Sequence, residues 1–213
     1  MCSKQYFISQ INYFSRYFKV VAYDLYGFGE NVPASKVYSL EDYAKEFISL
    51  AEKYGEKVKV IAHSFGCRVV LKSVRLRPLL IEKAVLCGVA GLKPDFSLKK
   101  FAKRTAYKIA RPFLPRERCE KLFFSPDYNL LNDTMKQSFK LVTGEYLDGV
   151  LPSVKFSTLA VFGEKDNQTP VKIANKLTKK IPDCGKYVMK DCGHFCFAEQ
   201  PIQFNQIARE FLI

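Results

Sequence analysis

Ser64 sits in the pentapeptide Ala62-His63-Ser64-Phe65-Gly66, directly after the β-branched run Val58-Lys59-Val60-Ile61. Small residues flank the serine on both sides, as a tight strand-to-helix turn requires where the backbone passes close to itself. Such a turn pushes the hydroxyl beyond the sheet edge and aims the backbone N–H of Phe65, at a helix N-terminus, toward developing negative charge. That is the setting of a nucleophile for acyl transfer. The sequence holds two histidines to serve as its base, His63 and His194. His63 is covalently next to Ser64 and poorly placed to reach back to the hydroxyl. His194 lies in Lys190-Asp191-Cys192-Gly193-His194-Phe195, where a glycine lets a loop present the ring. A carboxylate to hold the imidazole is offered by Glu164 and Asp166, in Phe162-Gly163-Glu164-Lys165-Asp166, and by Asp191. Asp166 is favoured because it falls in the turn before Pro170; Asp191 is expected on a strand edge.

Strands are expected at Phe18–Tyr23, Val58–Ile61, Lys83–Cys87, Thr158–Phe162 and Lys186–Met189. A helix opens at Ser39-Leu40-Glu41-Asp42 with a capping-box pattern, carries Leu40, Tyr43, Ala44, Phe47, Ile48, Ala51 and Tyr54 on one face, and closes at Gly55. Further helices are expected over Cys67–Arg77, after Pro170, and from Pro201 with Ile202, Ile207 and Phe211 among its apolar positions. Alternating strands and helices imply a mostly parallel sheet with right-handed crossovers. Between Gly91 and about Pro152 the pattern turns basic, helical and proline-broken.

Four segments together resemble the α/β-hydrolase family of serine hydrolases. Asp24-Leu25-Tyr26-Gly27-Phe28-Gly29 resembles the family's Asp-x-x-Gly-x-Gly loop, and Ala62–Gly66 its nucleophile elbow. Gly163–Asp166 is similar to the acid loop, and Gly193-His194-Phe195, followed by Glu199 and Pro201, to the histidine loop. The order Ser64, Asp166, His194 is the order the family uses. The resemblance implies an α/β-hydrolase fold, a mostly parallel sheet flanked by helices with a helical lid insertion. It divides the chain into core (1–90), lid (91–152) and core (153–213). It also implies a reaction that needs no cofactor and no metal. Two departures, Ala62 and Cys67 where glycine is commonest, keep the side chains small.

The front of the family's pattern is not found. Relatives of this type take half of their oxyanion hole from a His-Gly loop after a third strand, and no His-Gly occurs among the 23 residues before Asp24. The resemblance therefore implies an N-terminally truncated hydrolase, with Met1 an internal methionine. It also implies that the segment at Phe18–Tyr23 and the strand at Val58–Ile61 have lost their shared neighbour.

Length and composition agree with a single globular domain: 213 residues, 48% apolar and 26% charged. The start, Met1-Cys2-Ser3-Lys4-Gln5, has no apolar signal region, and no apolar stretch is long enough to span a bilayer. Seven cysteines without a framework favour a reduced, cytoplasmic protein. Cys192 and Cys196 flank Gly193-His194 but lack a second ligand pair, which argues against zinc. The net charge of +13 is concentrated: Lys93–Lys121 holds ten Lys/Arg against Asp95, Glu117 and Glu120. Within it, Ser97–Ala110 reads as an amphipathic helix with Leu98, Phe101, Ala102, Thr105, Ile109 and Ala110 on one face. A solvated lid helix is one reading, attraction to anionic lipid surfaces another; the absence of interleaved aromatic and basic residues argues against nucleic acid. Tyr128, Met135, Phe139 and Leu141 complete the expected lid, whose aromatic content suits an apolar acyl group; of Phe101, Tyr107, Phe113, Phe123, Phe124, Phe195 and Phe197, most are expected in the core and some lining the pocket. The expected function is hydrolysis of a small carboxylic ester by Ser64, His194 and Asp166, with the Phe65 N–H as an oxyanion donor. The alternatives are a non-catalytic or impaired binding protein on the same fold, and a lysophospholipase-like enzyme at anionic surfaces. An epoxide hydrolase or dehalogenase would need aspartate at position 64.

Overall fold

The computed structural model describes residues 3–31, 34–93, 98–124, 126–129 and 131–213, with the backbone alone for 98–101, 103, 104, 116, 120, 126 and 127. Four strands, β1 (Val58–His63), β2 (Ile81–Cys87), β3 (Ser157–Gly163) and β4 (Cys184–Met189), form one sheet in the order β1-β2-β3-β4, every pair parallel. Helices α1 (Ile8–Phe14), α2 (Leu40–Glu52) and α3 (Phe65–Ser73) accompany its first half. Between β2 and β3 come α4 (Leu98–Ala110), α5 (Arg116–Phe123), α6 (Pro126–Asn129) and α7 (Asp133–Gly144). Then α8 (Lys172–Lys180) joins β3 to β4, and α9 (Cys196–Glu199) and α10 (Pro201–Leu212) close the chain. Among the described residues no helix is long and apolar enough to cross a membrane.

Side chains alternate across the sheet, and each face has its own core. Ala84, Leu86, Ala160 and Phe162 point to a cluster containing Leu40, Tyr43 and Val70, while Val85, Cys87 and Val161 point to one containing Phe14, Phe204, Ala208 and Leu212. On the first face α2 packs on α3; on the second, α1 packs on α10. The capping box at Ser39 forms: Asp42 N–H donates to Ser39 Oγ at 3.2 Å, and Ser39 N–H donates to Asp42 Oδ2 at 2.8 Å. Two positions assigned to buried helix faces lie outside them. Tyr54 falls past the end of α2 and is exposed; Ile202, in the first turn of α10, is 76% exposed.

Phe18–Tyr23 is not a strand. It has no regular secondary structure, and among the described residues nothing pairs with it in a ladder. An extended segment becomes a strand only by exchanging hydrogen bonds with a neighbour. β1 correspondingly pairs on one side only, with β2. The N–H groups of Val58 and Ser64 bond to Leu80 and Cys87 on the β2 side. Parallel pairing alternates, so Lys59, Ile61 and His63 turn their backbone groups to the free edge.

The helical segment between β2 and β3 rejoins the core before its end: Val142, Leu147, Val150 and Leu151 are buried in the first cluster. Arg68, on α3, donates from Nη1 to the carbonyls of Val142 (2.6 Å) and Glu145 (2.9 Å). The apolar stripe of α4 behaves differently. Ala102, Thr105 and Ile109 face solvent rather than the core, while Ser97 and the side chains of Leu98 and Phe101 lie outside the described residues.

Candidate active site

All the residues in question stand at the C-terminal ends of the parallel strands, where loops converge above the sheet. β1 ends at His63 and hands over to α3 through Ser64, whose backbone takes φ 49°, ψ −104°. For a residue with a side chain this is strained, and strain of this kind persists only where its surroundings enforce it. Here Ser64 N–H donates to the Cys87 carbonyl at 2.9 Å, and the Ser64 carbonyl accepts from Cys67 N–H at 3.1 Å. A Cβ built on Gly66 would lie 3.7 Å from that of Ala62, an ordinary van der Waals contact, so the two sides of the turn approach each other without excluding a methyl group there. Phe65, as the first residue of α3, has an N–H with no acceptor inside the helix. Its ring stacks on Phe28 at 5.4 Å and meets Tyr43 edge-on at 5.0 Å.

The loop after β3 carries Asp166, which is buried. Its Oδ1 accepts the N–H groups of Gln168 (2.8 Å) and Thr169 (2.9 Å), and its Oδ2 accepts the Thr169 hydroxyl (2.7 Å). Oδ2 also accepts from His194 Nδ1 at 2.7 Å. Burial opposes ionisation of this carboxyl, but the hydrogen bonds from His194 and Thr169 outweigh it and hold it below the usual range. The carboxylate fixes the tautomer: Nδ1 of His194 carries the proton, leaving Nε2 as an acceptor.

His194 is held from the other side as well. Glu199 accepts Gly193 N–H at 2.7 Å and Phe195 N–H at 3.2 Å, bracketing the histidine. His63 Nε2–H donates to the His194 carbonyl at 2.9 Å, and its ring lies 4.6–5.0 Å from those of His194, Phe195 and Phe197. Burial, reinforced by the neighbouring His194, pushes the His63 pKa down to about 4, so this ring is neutral at physiological pH. The acid and histidine loops touch through their backbones. Lys165 N–H donates to the Cys192 carbonyl at 2.8 Å, and a Cβ on Gly163 would sit 2.1 Å from the Gly193 oxygen. Gly88 (φ 55°) leaves the same kind of room beside the His194 ring, 3.1 Å from its Cε1.

The structure thus joins Asp166 to His194 and places Ser64 past the end of β1, at the same edge of the sheet with β2 between β1 and β3; no hydrogen bond links the Ser64 hydroxyl to the imidazole. Asp191, expected on a strand edge, lies past the end of β4 in a left-handed turn (φ 60°), exposed and paired with Lys165 at 2.6 Å. It turns away from His194. Glu164 accepts from Asp191 N–H at 3.2 Å and does not reach the imidazole either. The support residues His63 and Thr169 were not singled out by pattern. Thr169 is visible in retrospect as an Asp-x-x-Thr turn, in which the side chain binds the backbone two and three residues on. Asp24, in the glycine-punctuated loop, accepts Lys4 N–H (2.6 Å) and Glu30 N–H (3.1 Å) and so holds that loop to the first helical turn. A cleft of about 390 Å³ opens there, between Asp24, Tyr23 and Lys4 and the α2 residues Glu46 and Ser49, away from Ser64.

The sequence profile of the alpha/beta hydrolase family matches residues 5–207. The chain belongs to that family. One relative, a 2-hydroxy-6-oxo-6-(2'-aminophenyl)hexa-2,4-dienoic acid hydrolase of Metapseudomonas resinovorans, is 22% identical over 93% of this chain and 75% of its own length. The human serine hydrolase BPHL is 25% identical over 92% of this chain and 69% of its own. A membrane phospholipase A described as a bacterial virulence factor superposes with a TM-score of 0.77, at 20% identity, over 99% of this chain and 75% of that one. At that identity the superposition speaks for the fold. Family and relatives identify this member of the alpha/beta hydrolases as a serine hydrolase in the general sense.

Proposed function

We propose that the chain hydrolyses carboxylic esters with an apolar acyl group through a covalent acyl-enzyme. Ser64 Oγ attacks the ester carbonyl as His194 Nε2 takes its proton. The imidazolium, steadied by Asp166, returns that proton to the departing alkoxide. Water, deprotonated by the same nitrogen, then releases the acid and restores Ser64. The N–H of Phe65 donates to the oxyanion. The observation that carries this reading is the buried 2.7 Å Asp166–His194 pair at the strand ends next to the strained Ser64 turn. The half-buried rings of Phe65 and Phe195 beside that turn favour an apolar acyl chain over a charged one.

Labelling with a fluorophosphonate tests it. The expected result is one covalent adduct, absent from Ser64→Ala, together with turnover of medium-chain p-nitrophenyl esters. A folded protein that takes no label would favour a second reading, a non-catalytic binding protein, for which the unmade bond between Ser64 and His194 speaks. A lysophospholipase-like substrate is favoured by one observation, the solvent-facing apolar stripe of α4.

A further inference from the structure

The hairpin of α4 and α5 has an amphipathic surface turned outward. Ala102, Thr105 and Ile109 recur at helical spacing along α4, and Phe113 continues the line where the helix unwinds. An apolar helical stripe ordinarily packs on a core. This one is exposed: Ile109 to 64% and Phe113 to 82%, with Leu122 of α5 at 65%. Phe113 and Leu114 N–H groups both donate to the Ala110 carbonyl at 3.0 Å, and Cys119 of α5 is buried. The rings of Phe123 and Phe124 both stand 5.5 Å from Tyr107 and lock the two helices together. The same hairpin carries the exposed bases Lys108, Arg111, Arg118 and Lys121, with Glu117 as the one exposed acid among its described side chains.

We infer that this hairpin docks the protein on anionic lipid bilayers, with Phe113 and Ile109 entering the headgroup boundary and the surrounding bases meeting lipid phosphates. Exposed apolar side chains interspersed along the hairpin with exposed bases complement a surface that is apolar below and anionic above. The +13 net charge adds long-range attraction to it. Docking uses none of the residues assigned to catalysis, so it stands or falls separately from the proposed reaction.

The test is co-sedimentation of the full chain with vesicles of phosphatidylcholine, pure or with about 30% phosphatidylglycerol. Ser64→Ala serves as a hydrolysis-free control that binds like wild type. The expected result is at least about tenfold stronger partitioning into the anionic vesicles at low salt, largely lost at about 0.5 M salt, where charges are screened beyond a few ångströms. Phe113→Ser, at an exposed position that leaves the fold intact by circular dichroism, lowers anionic binding about tenfold. Arg111→Glu with Arg118→Glu removes the preference for phosphatidylglycerol. Equal binding to both vesicles, binding to neither, or binding unchanged in Phe113→Ser overturns the inference. So does a lipid-free dimer abolished by Phe113→Ser, which would make a second copy the occupant of this face.

Discussion

His63 Nε2 donates to the backbone carbonyl of His194 at 2.9 Å, so the residue before the proposed nucleophile holds the loop that carries the proposed base. The bond spans from the end of β1 to the loop after β4, the first and last strands of the sheet. Because a carbonyl only accepts, the bond requires His63 to carry a proton on Nε2; burial, not this bond, keeps the ring neutral.

His63→Ala leaves the His194 carbonyl unpaired and opens a gap beside Phe197. We expect kcat to fall about tenfold or more with KM little changed, as for a misplaced base. His63→Gln, which can still donate to that carbonyl, recovers most of the loss. Steady-state kinetics on p-nitrophenyl butyrate compare the three proteins.

The same residue contributes to acid stability. Its pKa is about 4 in the fold and about 6.5 in the unfolded chain, so the unfolded state binds the extra proton between those values. Stability from this source is complete above pH 6.5 and is lost as pH falls toward 4, by about 3 kcal/mol at the limit. Glu46, raised by burial to about 7, acts in the opposite sense between about pH 4.5 and 7. Urea denaturation of wild type against His63→Gln at pH 4.5 and 7.5 isolates the histidine's share: the acid loss is smaller in the variant.

Asp166→Asn keeps the shape of the acid loop but replaces the acceptor that fixes the His194 tautomer. The expected drop in kcat is about 10³–10⁴, accompanied by a matching slowdown in fluorophosphonate labelling. A drop below tenfold would remove Asp166 from the proposed mechanism.

Thr169→Val deletes one of the bonds that hold the Asp166 carboxyl below its ordinary pKa. A depressed carboxyl contributes stability above its unfolded pKa and loses it as pH falls through the folded one. The variant should lose about 1–2 kcal/mol at neutral pH, and its remaining acid-dependent loss should be shallower. Thermal melts from pH 3 to 7 would reveal both.

Gly163→Ala places a methyl group where the Gly193 oxygen lies, 2.1 Å away, against backbone that cannot rotate aside. We expect destabilisation of about 3 kcal/mol or more, a Tm fall of about 6–12 °C, and loss of activity from the separated loops. An unchanged melt would mean that the two loops part without cost.

What could be read from the sequence divides along the range of the interactions. The Ser64 turn, the Asp166 turn and the glycine before His194 each depend on a few neighbouring residues, and their chemistry is written locally. Glu199, which follows the histidine loop by a few residues, belongs with them, whereas His63 acts because separate loops converge, and no local pattern states that. Periodicity marks α4 as amphipathic without saying what its apolar side meets; of its described side chains, Ala102, Thr105 and Ile109 meet solvent. Phe18–Tyr23 has strand-like residues, but a strand is a relation between two segments, and among the described residues the second one is not there. Asp191 looked like a strand-edge carboxylate because the left-handed turn that swings it outward has no glycine to announce it.

The positive φ at Ser64 has a consequence for how this protein trades durability against use. Glycine adopts that backbone freely, so Ser64→Gly would relax the chain at its most constrained point and should raise the melting temperature while ending all turnover.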